Sequence, residues 1–187
     1  MSYTNVEKTL ILIRPDGVQR GLVGKFISRF EKRGMKLVGI KMSIPEREQL
    51  ERHFWAHTQK DYFEELITYM MSGPVCVMVW AGNKCIDNAL QIIGAKKPFE
   101  SAPGTIRGDY GVEIGRNLIS ASNAGWEALK EIQVWFPQSE GVCRWDDHSA
   151  GWIYENRANQ RRAQPATTSN DQEEESKEHF ATNASQT

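Results

Sequence analysis

The chain predicts an α+β fold: an antiparallel sheet in the split βαβ (ferredoxin-like) arrangement, with helices on one face, followed by a disordered C-terminal tail. Short continuous apolar runs at Thr9–Ile13 and Val75–Trp80 have the length and composition of buried strands. Segments of helical periodicity lie between the strands, the first of them already separating strands one and two. After Glu155 the strongly apolar residues all but stop.

Taken in order, TLILI (Thr9–Ile13) ends at Arg14-Pro15-Asp16-Gly17, where Pro stops strand pairing and Gly permits a turn. Gly24 to Lys32 places Phe26, Ile27 and Phe30 on one helical face, and Gly34 stops the helix. Met35–Met42 alternates loosely enough for a second strand. Pro45 opens a helix whose first turn carries Glu46 and Glu48, where the helix dipole favours them. Asp61 caps a further helix running to Met71, and Gly73-Pro74 ends it. VCVMVW (Val75–Trp80) is the clearest strand, Asn83 caps a helix over Lys84–Ile93, and Gly94 terminates it. Leu118-Ile119 is a brief strand, and Asn123 starts a helix reaching Ile132. A doubly wound parallel sheet is the alternative, but no GxGxxG follows the first strand.

At 187 residues, with 40% hydrophobic side chains including six Trp and seven Phe, one domain of residues 1–156 has ample material for a core. Residues 157–187 contain no Ile, Leu, Val or Trp, and hold an Arg cluster (Arg157, Arg161, Arg162) before an acidic cluster (Glu173, Glu174, Glu175). Such a segment buries too little to offset its ordering entropy, so it reads as a disordered tail, either solubilising or a docking peptide for a protein partner. The net charge is −1 and the part before the tail is neutral, without a basic stripe, which argues against nucleic acid and an acidic membrane surface. Cys76, Cys85 and Cys143, odd in number and without CxxC spacing, fit a reducing compartment. The apolar run before Arg14 is too short for a secretion signal or a membrane span. The expected location is the cytoplasm, including a place within a larger assembly such as a cytoskeletal one.

Pro103–Asn123 concentrates chemistry: Gly104, Gly108, Gly111 and Gly115 beside Thr105, Arg107, Arg116 and Asn117. Glycines let backbone N–H groups approach a ligand, and an arginine fork matches phosphate. The same composition also suits ordinary surface turns. His53 and His57 stand four apart on an expected helix, a spacing that suits zinc, but no HExxH and no third ligand accompany them.

Together, IRPDGVQRGLVGKFISRFEKRG, MSGPVCVMVW, PGTIRGDYG, IGRN, EIQVWF and WIYE resemble nucleoside diphosphate kinase, from about Glu7 to Glu155. The resemblance implies the same ferredoxin-like fold, hexameric assembly as in most eukaryotic members, and Mg²⁺ carried on the nucleotide. It also implies transfer of a γ-phosphate between nucleosides through a phosphohistidine. Trp135-Phe136 and the ending Trp152–Glu155 match the hexameric members, which leads to the expectation of a homo-hexamer or a mixed hexamer with an active paralogue.

Carried over residue by residue, the family motif GRNxxHGSD falls on Gly115–Asn123, so the nucleophile's position holds Ser120. The phosphate-binding Lys corresponds to Arg14, a supporting Tyr to Phe54, a phosphate-gripping Arg to Leu90, and a Thr of like role to Lys96. Arg107, Asn117, Ser122 and the orienting carboxylate Glu131 are retained, while Tyr62 and Ile114 stand where the family sandwiches the base. A serine hydroxyl needs an adjacent base to attack, and Glu131 is the candidate. A phosphoserine, an ordinary monoester, is then too inert to hand its phosphate on. The expectation is therefore an inactive, kinase-like oligomeric scaffold or regulatory subunit that keeps some ATP or ADP binding. The alternative is an active nucleoside diphosphate kinase.

Overall fold

The computed structural model describes residues 6–145 and 148–154. Strands β1 (Glu7–Ile13), β2 (Lys36–Ser43), β3 (Val75–Gly82) and β4 (Ile119–Ala121) form one sheet in the order β2-β3-β1-β4. Every neighbouring pair is antiparallel, with Leu10 opposite Val79 and Leu12 opposite Ser120. This is the predicted α+β sheet, with one correction: helices cover both of its faces.

The continuous apolar runs have that double cover as their cause, since successive side chains of a strand point to opposite faces. Ile11, Ile13, Cys76, Met78 and Trp80 pack with Phe26 and Phe30 of α2 (Val23–Lys32) and with Cys85, Ala89 and Ile93 of α5 (Cys85–Ile93). Leu10, Leu12, Val75, Val77 and Val79 pack instead with α3 (Arg47–His53), α4 (Phe63–Met71) and α7 (Gly125–Trp135), through Leu50, Ile67, Met70 and Trp135. Each large side chain taken out of water this way contributes about 1.5–3 kcal/mol. β2 is an edge strand and leaves Ile40 and Met42 exposed.

The turn after β1 is a short helix, α1 (Pro15–Gln19), with Pro at its favoured first position. Gly17 is there for space rather than for left-handed backbone: a Cβ would stand 2.7 Å from Ile13 Cγ2 and 2.9 Å from the Leu118 carbonyl. The predicted side-chain caps are not formed. α4, α5 and α7 start after Tyr62, Lys84 and Ala124, with no capping hydrogen bond from any of these side chains. The Asn123 amide N–H and Nδ2 instead donate to Glu127 at 3.0 and 3.1 Å, so the acid inside the helix satisfies the group outside it. The helix expected from Pro45 begins at Arg47 and ends at His53, and Trp55–His57 is a separate 3₁₀ turn.

The compact unit ends at Ala150, and beyond it the described residues 151–154 are helical to Ile153. The tail expected at 157–187 lies outside the described residues, among which no helix is long and apolar enough to cross a membrane.

Candidate functional site

The site is built where β1 and β4 end side by side. Arg14 leaves β1 with its amide bonded to the Leu118 carbonyl at 2.8 Å, which sets it beside the strand that carries Ser120. Leu118 has a left-handed backbone, φ 73°, unusual for a residue with a bulky side chain. Asp16 holds it: one carboxylate oxygen accepts the Leu118 N–H at 3.1 Å and the other accepts the Tyr69 hydroxyl at 2.5 Å. The Arg116 guanidinium stacks over the Tyr69 ring at 4.3 Å. Burial beside the Asp16 carboxylate raises the Tyr69 phenol above its ordinary range.

Arg107, on α6 (Ile106–Tyr110), is a frame for this cradle. Its guanidinium donates to the carbonyls of Gly94 (3.0 Å), Ala95 (3.3 Å), Asn117 (3.4 Å) and Ile119 (2.7 Å). Burial, and then the charge of Arg14, push its pKa down to about 10, so it stays charged at neutral pH. Asn117 ties in the remaining strand of the loop, donating from Nδ2 to the Lys96 carbonyl at 3.1 Å.

Three buried polar atoms in this cradle have no hydrogen-bond partner among the described residues: Arg14 Nε, Asn117 Oδ1 and Ser120 Oγ. Burial also lowers the pKa of Arg14, against the opposing fields of Tyr69 and Asp16. Unpaired buried donors and acceptors are costly, and polar groups of a ligand relieve that cost. The glycine-rich segment itself does not offer a bed of free amides. The Gly104 N–H goes to Asp109 at 2.7 Å, the Gly108 N–H to Thr105 Oγ1 at 3.1 Å, and the Gly111 N–H to the Arg107 carbonyl at 2.8 Å. Gly108 is required because a Cβ there would meet the Ala102 carbonyl at 2.2 Å.

Behind Ser120 runs a buried polar network. Ser122 accepts the Leu10 N–H at 3.2 Å and donates to Glu131 Oε2 at 2.5 Å. Burial pushes the Glu131 carboxyl up to about 7, despite the Ser122 bond. Glu131 Oε1 lies 4.0 Å from His53 Nδ1, which accepts the Trp135 indole N–H at 3.3 Å. Burial, with the charges of Arg14 and His57, pushes His53 down to about 3. Glu131 thus serves Ser122, and Ser120 has no base bonded to it.

A line of rings closes the opposite side. Phe54 is buried, with its ring 4.5 Å from that of His53 and 6.1 Å from that of His57. His57 Nδ1 is 2.8 Å from the Tyr62 hydroxyl, which secures a ring that is 49% exposed. Ile114, exposed in the loop closed by the Glu113–Arg116 bridge, and Leu90, half-buried on α5, join none of these bonds or ring contacts. His53 and His57, expected on one helix, are corrected to two separate elements. α3 stops at His53, the two imidazoles bond Trp135 and Tyr62, and no cluster of three metal-ligating side chains occurs among the described residues.

A sequence model of the family "Nucleoside diphosphate kinase" matches residues 7–141. The chain belongs to the nucleoside diphosphate kinase family. "Nucleoside diphosphate kinase 1" of Nicotiana tabacum is 51% identical over 150 residues, covering 80% of this chain and 100% of the relative. A "Nucleoside diphosphate kinase" of Neurospora crassa is 49% identical over 152 residues, covering 81% and 99%. Among solved structures, the halophilic nucleoside diphosphate kinase of Halobacterium salinarum, determined in complex with CDP, superposes with a TM-score of 0.77 at 39% identity, covering 81% of this chain and 100% of its own. A nucleoside diphosphate kinase family protein of Babesia bovis gives 0.76 at 38% identity, covering 79% and 99%.

Within this nucleoside diphosphate kinase-like domain, the fold brings Arg14, Lys96, Arg107, Asn117 and Ser120 into one cradle, with Glu131 behind it and Phe54 and Tyr62 along its ring-lined side. Sequence reasoning did not single out Asp16 and Tyr69, which brace the cradle floor. It also read His57 only as a partner for His53. Asp16 had a signal, since an acid directly after Arg14-Pro15 opens a helix against the strand end. Tyr69 had none, because its hydroxyl reaches Asp16 across 53 positions of sequence.

Proposed function

We propose that this chain binds a nucleoside diphosphate or triphosphate in the cradle of Arg14, Lys96 and Asn117 but does not pass phosphate through position 120, acting as an oligomeric scaffold or regulatory subunit of its family. The observation that carries this reading is the Ser120 hydroxyl, buried and without a hydrogen-bonded base, at the position where family resemblance puts the histidine nucleophile. An alkoxide needs a proton acceptor, and Glu131 is committed to Ser122. Phe54 and Leu90 bring no polar group where the family uses Tyr and Arg.

Binding is supported by the unpaired Arg14 Nε and Asn117 Oδ1, and by Lys96, exposed and without an ion pair among the described residues. Arg107 contributes charge from behind, because its donors are directed to backbone carbonyls. Tyr62 and Ile114 supply the base-stacking faces. Mg²⁺, as the family resemblance implies, is carried on the polyphosphate it accompanies. Two charged hydrogen bonds at about 1.5–3 kcal/mol each, with a stacked base, place the affinity for Mg²⁺-ADP between millimolar and micromolar. Calorimetry with Mg²⁺-ADP, beside an assay of label transfer from γ-labelled ATP to a second diphosphate, is expected to show binding without transfer.

The names of the relatives favour a second reading, an active nucleoside diphosphate kinase, and on the comparisons alone that reading stands ahead. It requires either another nucleophile or direct in-line transfer. Enzymatic turnover in the same label-transfer assay decides for it.

Hexameric association, homomeric or with an active paralogue, is supported by exposed apolar side chains on the edge strand (Ile40, Met42), just after it (Ile44), in the 3₁₀ turn Pro98–Glu100 (Phe99) and after α6 (Val112). The expectation drawn from Trp135-Phe136 is weaker, since both side chains are buried within the single chain. Sedimentation at micromolar concentration is expected to give a hexamer. A monomer there removes the scaffold part of the proposal.

A further inference from the structure

A groove between α3 and α7 lies apart from the cradle and from the exposed apolar side chains that support hexameric association. Glu48, Glu51 and Arg52 of α3, Trp55 of the following 3₁₀ turn, and Lys130 and Val134 of α7 line about 340 Å³ of space. By their spacing Trp126, Leu129, Lys130 and Val134 form one stripe of α7, so two further apolar side chains continue the floor. Trp126 is 57% exposed, Leu129 64% and Trp55 40%. A single exposed apolar side chain is ordinary, but two indoles and a leucine beside one groove mark an interaction surface.

The anchors are held in place. The Trp55 and Trp126 rings meet edge to face with centroids 5.9 Å apart, which joins the turn to the start of α7. The Lys130 ammonium stands 3.7 Å over the Trp55 ring. Toward the other end of α7, Gln49 Nε2 donates to the Val134 carbonyl at 3.4 Å and ties α3 to it. Side chains fixed before a partner arrives lose less freedom on binding, and Trp and Arg are the residues that carry most binding energy at interfaces.

Charge selects the occupant. Glu51 is already neutralised by Arg47 at 2.8 Å. Among the described residues, Arg52 and Lys130 have no carboxylate partner, and of the lining carboxylates Glu48 alone has no cation. Two unpaired cations thus face one unpaired carboxylate. The neighbouring ground is cationic too: around His57, two residues on from Trp55, Lys96, Arg14 and Lys60 outweigh Glu127. An apolar floor with surplus cations complements a peptide that sets a bulky apolar side chain among carboxylates.

We propose that this groove is a docking site for a partner protein, which enters it with a large apolar side chain of an acidic segment while flanking carboxylates pair with Arg52 and Lys130. The inference does not need nucleotide in the cradle, and it gives the scaffold or regulatory reading a surface on which to act.

The test is fluorescence anisotropy of the full chain with three labelled peptide pools, in which Phe and Leu are set among glutamates, among glutamines or among lysines. The glutamate pool is expected to bind the natural protein, severalfold more weakly at high salt, and to bind Trp126→Ser roughly tenfold more weakly. Arg52→Glu combined with Lys130→Glu is expected to move the preference to the lysine pool, a reversal that poor folding does not produce. Equal binding of the glutamate and glutamine pools overturns the acidic partner, and binding of no pool overturns the site. A lower oligomeric state of Trp126→Ser in sedimentation means that a second copy covers this face, and binding of phosphatidylserine vesicles without peptide binding gives it to a lipid surface; either result overturns the proposal.

Discussion

Ser120→His combined with Arg14→Lys is expected to raise γ-phosphate exchange between nucleosides by at least about a thousand-fold over the natural chain, since on the proposed reading position 120 lacks a covalent nucleophile, whose loss costs on the order of a million-fold in a serine hydrolase. The surroundings needed by an imidazole are largely standing. Asn117 and Arg107 hold the strand end, Leu118 is locked by Asp16, and Ser122 and Glu131 lie behind. Arg14→Lys is included because the longer side chain buries a donor that has no partner. Transfer of label from γ-labelled ATP to a second diphosphate measures the outcome. Background-level exchange would place the defect in Phe54 and Leu90 as well, and Phe54→Tyr with Leu90→Arg is the next step.

The pH dependence of stability is expected to change shape in Glu131→Gln. Folding raises Glu131 from 4.5 to about 7, so its contribution is fully present below 4.5 and is lost as pH rises through about 7, a change of about 3 kcal/mol. Folding depresses His53 from 6.5 to about 3, so its contribution is present above 6.5 and is lost as pH falls toward 3. Between 4.5 and 6.5 the two slopes oppose, and the natural chain is expected to be nearly flat there. Glutamine still accepts the Ser122 proton but does not titrate. The variant should therefore gain about 2–3 kcal/mol of stability from pH 4.5 to 6.5, and stay more stable than the natural chain at pH 8. Urea unfolding at four pH values checks this; parallel curves for the two proteins would mean that the carboxyl is not protonated in its buried place.

The sheet was legible because burial leaves its mark on composition: a strand covered on both faces, such as Val75–Trp80, reads as a continuous apolar run. The double cover itself was not. Leu10 and Ile11 look alike in sequence, although they serve opposite faces. Helix starts misled for a related reason. Asn83, Asp61 and Asn123 have the chemistry of caps, but none caps by its side chain; the Phe63 N–H goes to the Lys60 carbonyl and the Ile86 N–H to Glu7 instead. At the site, motif order picked out residues that the fold brings together, while the glycine-rich stretch promised free amides that its own turn consumes. The Tyr69–Asp16 and Tyr62–His57 bonds depend on where side chains meet in space, which spacing alone does not encode.

Arg107 carries a warning for anyone probing this pocket by alanine scanning. Its guanidinium staples four carbonyls drawn from the Gly94-Ala95 turn and the Asn117–Ile119 strand end. Architecture and chemistry are thereby uncoupled: the bay keeps its shape whatever group stands at position 120. By the same token, an Arg107→Ala protein that ignores nucleotides has lost its walls, and its silence reveals nothing about whether that arginine ever touched a phosphate.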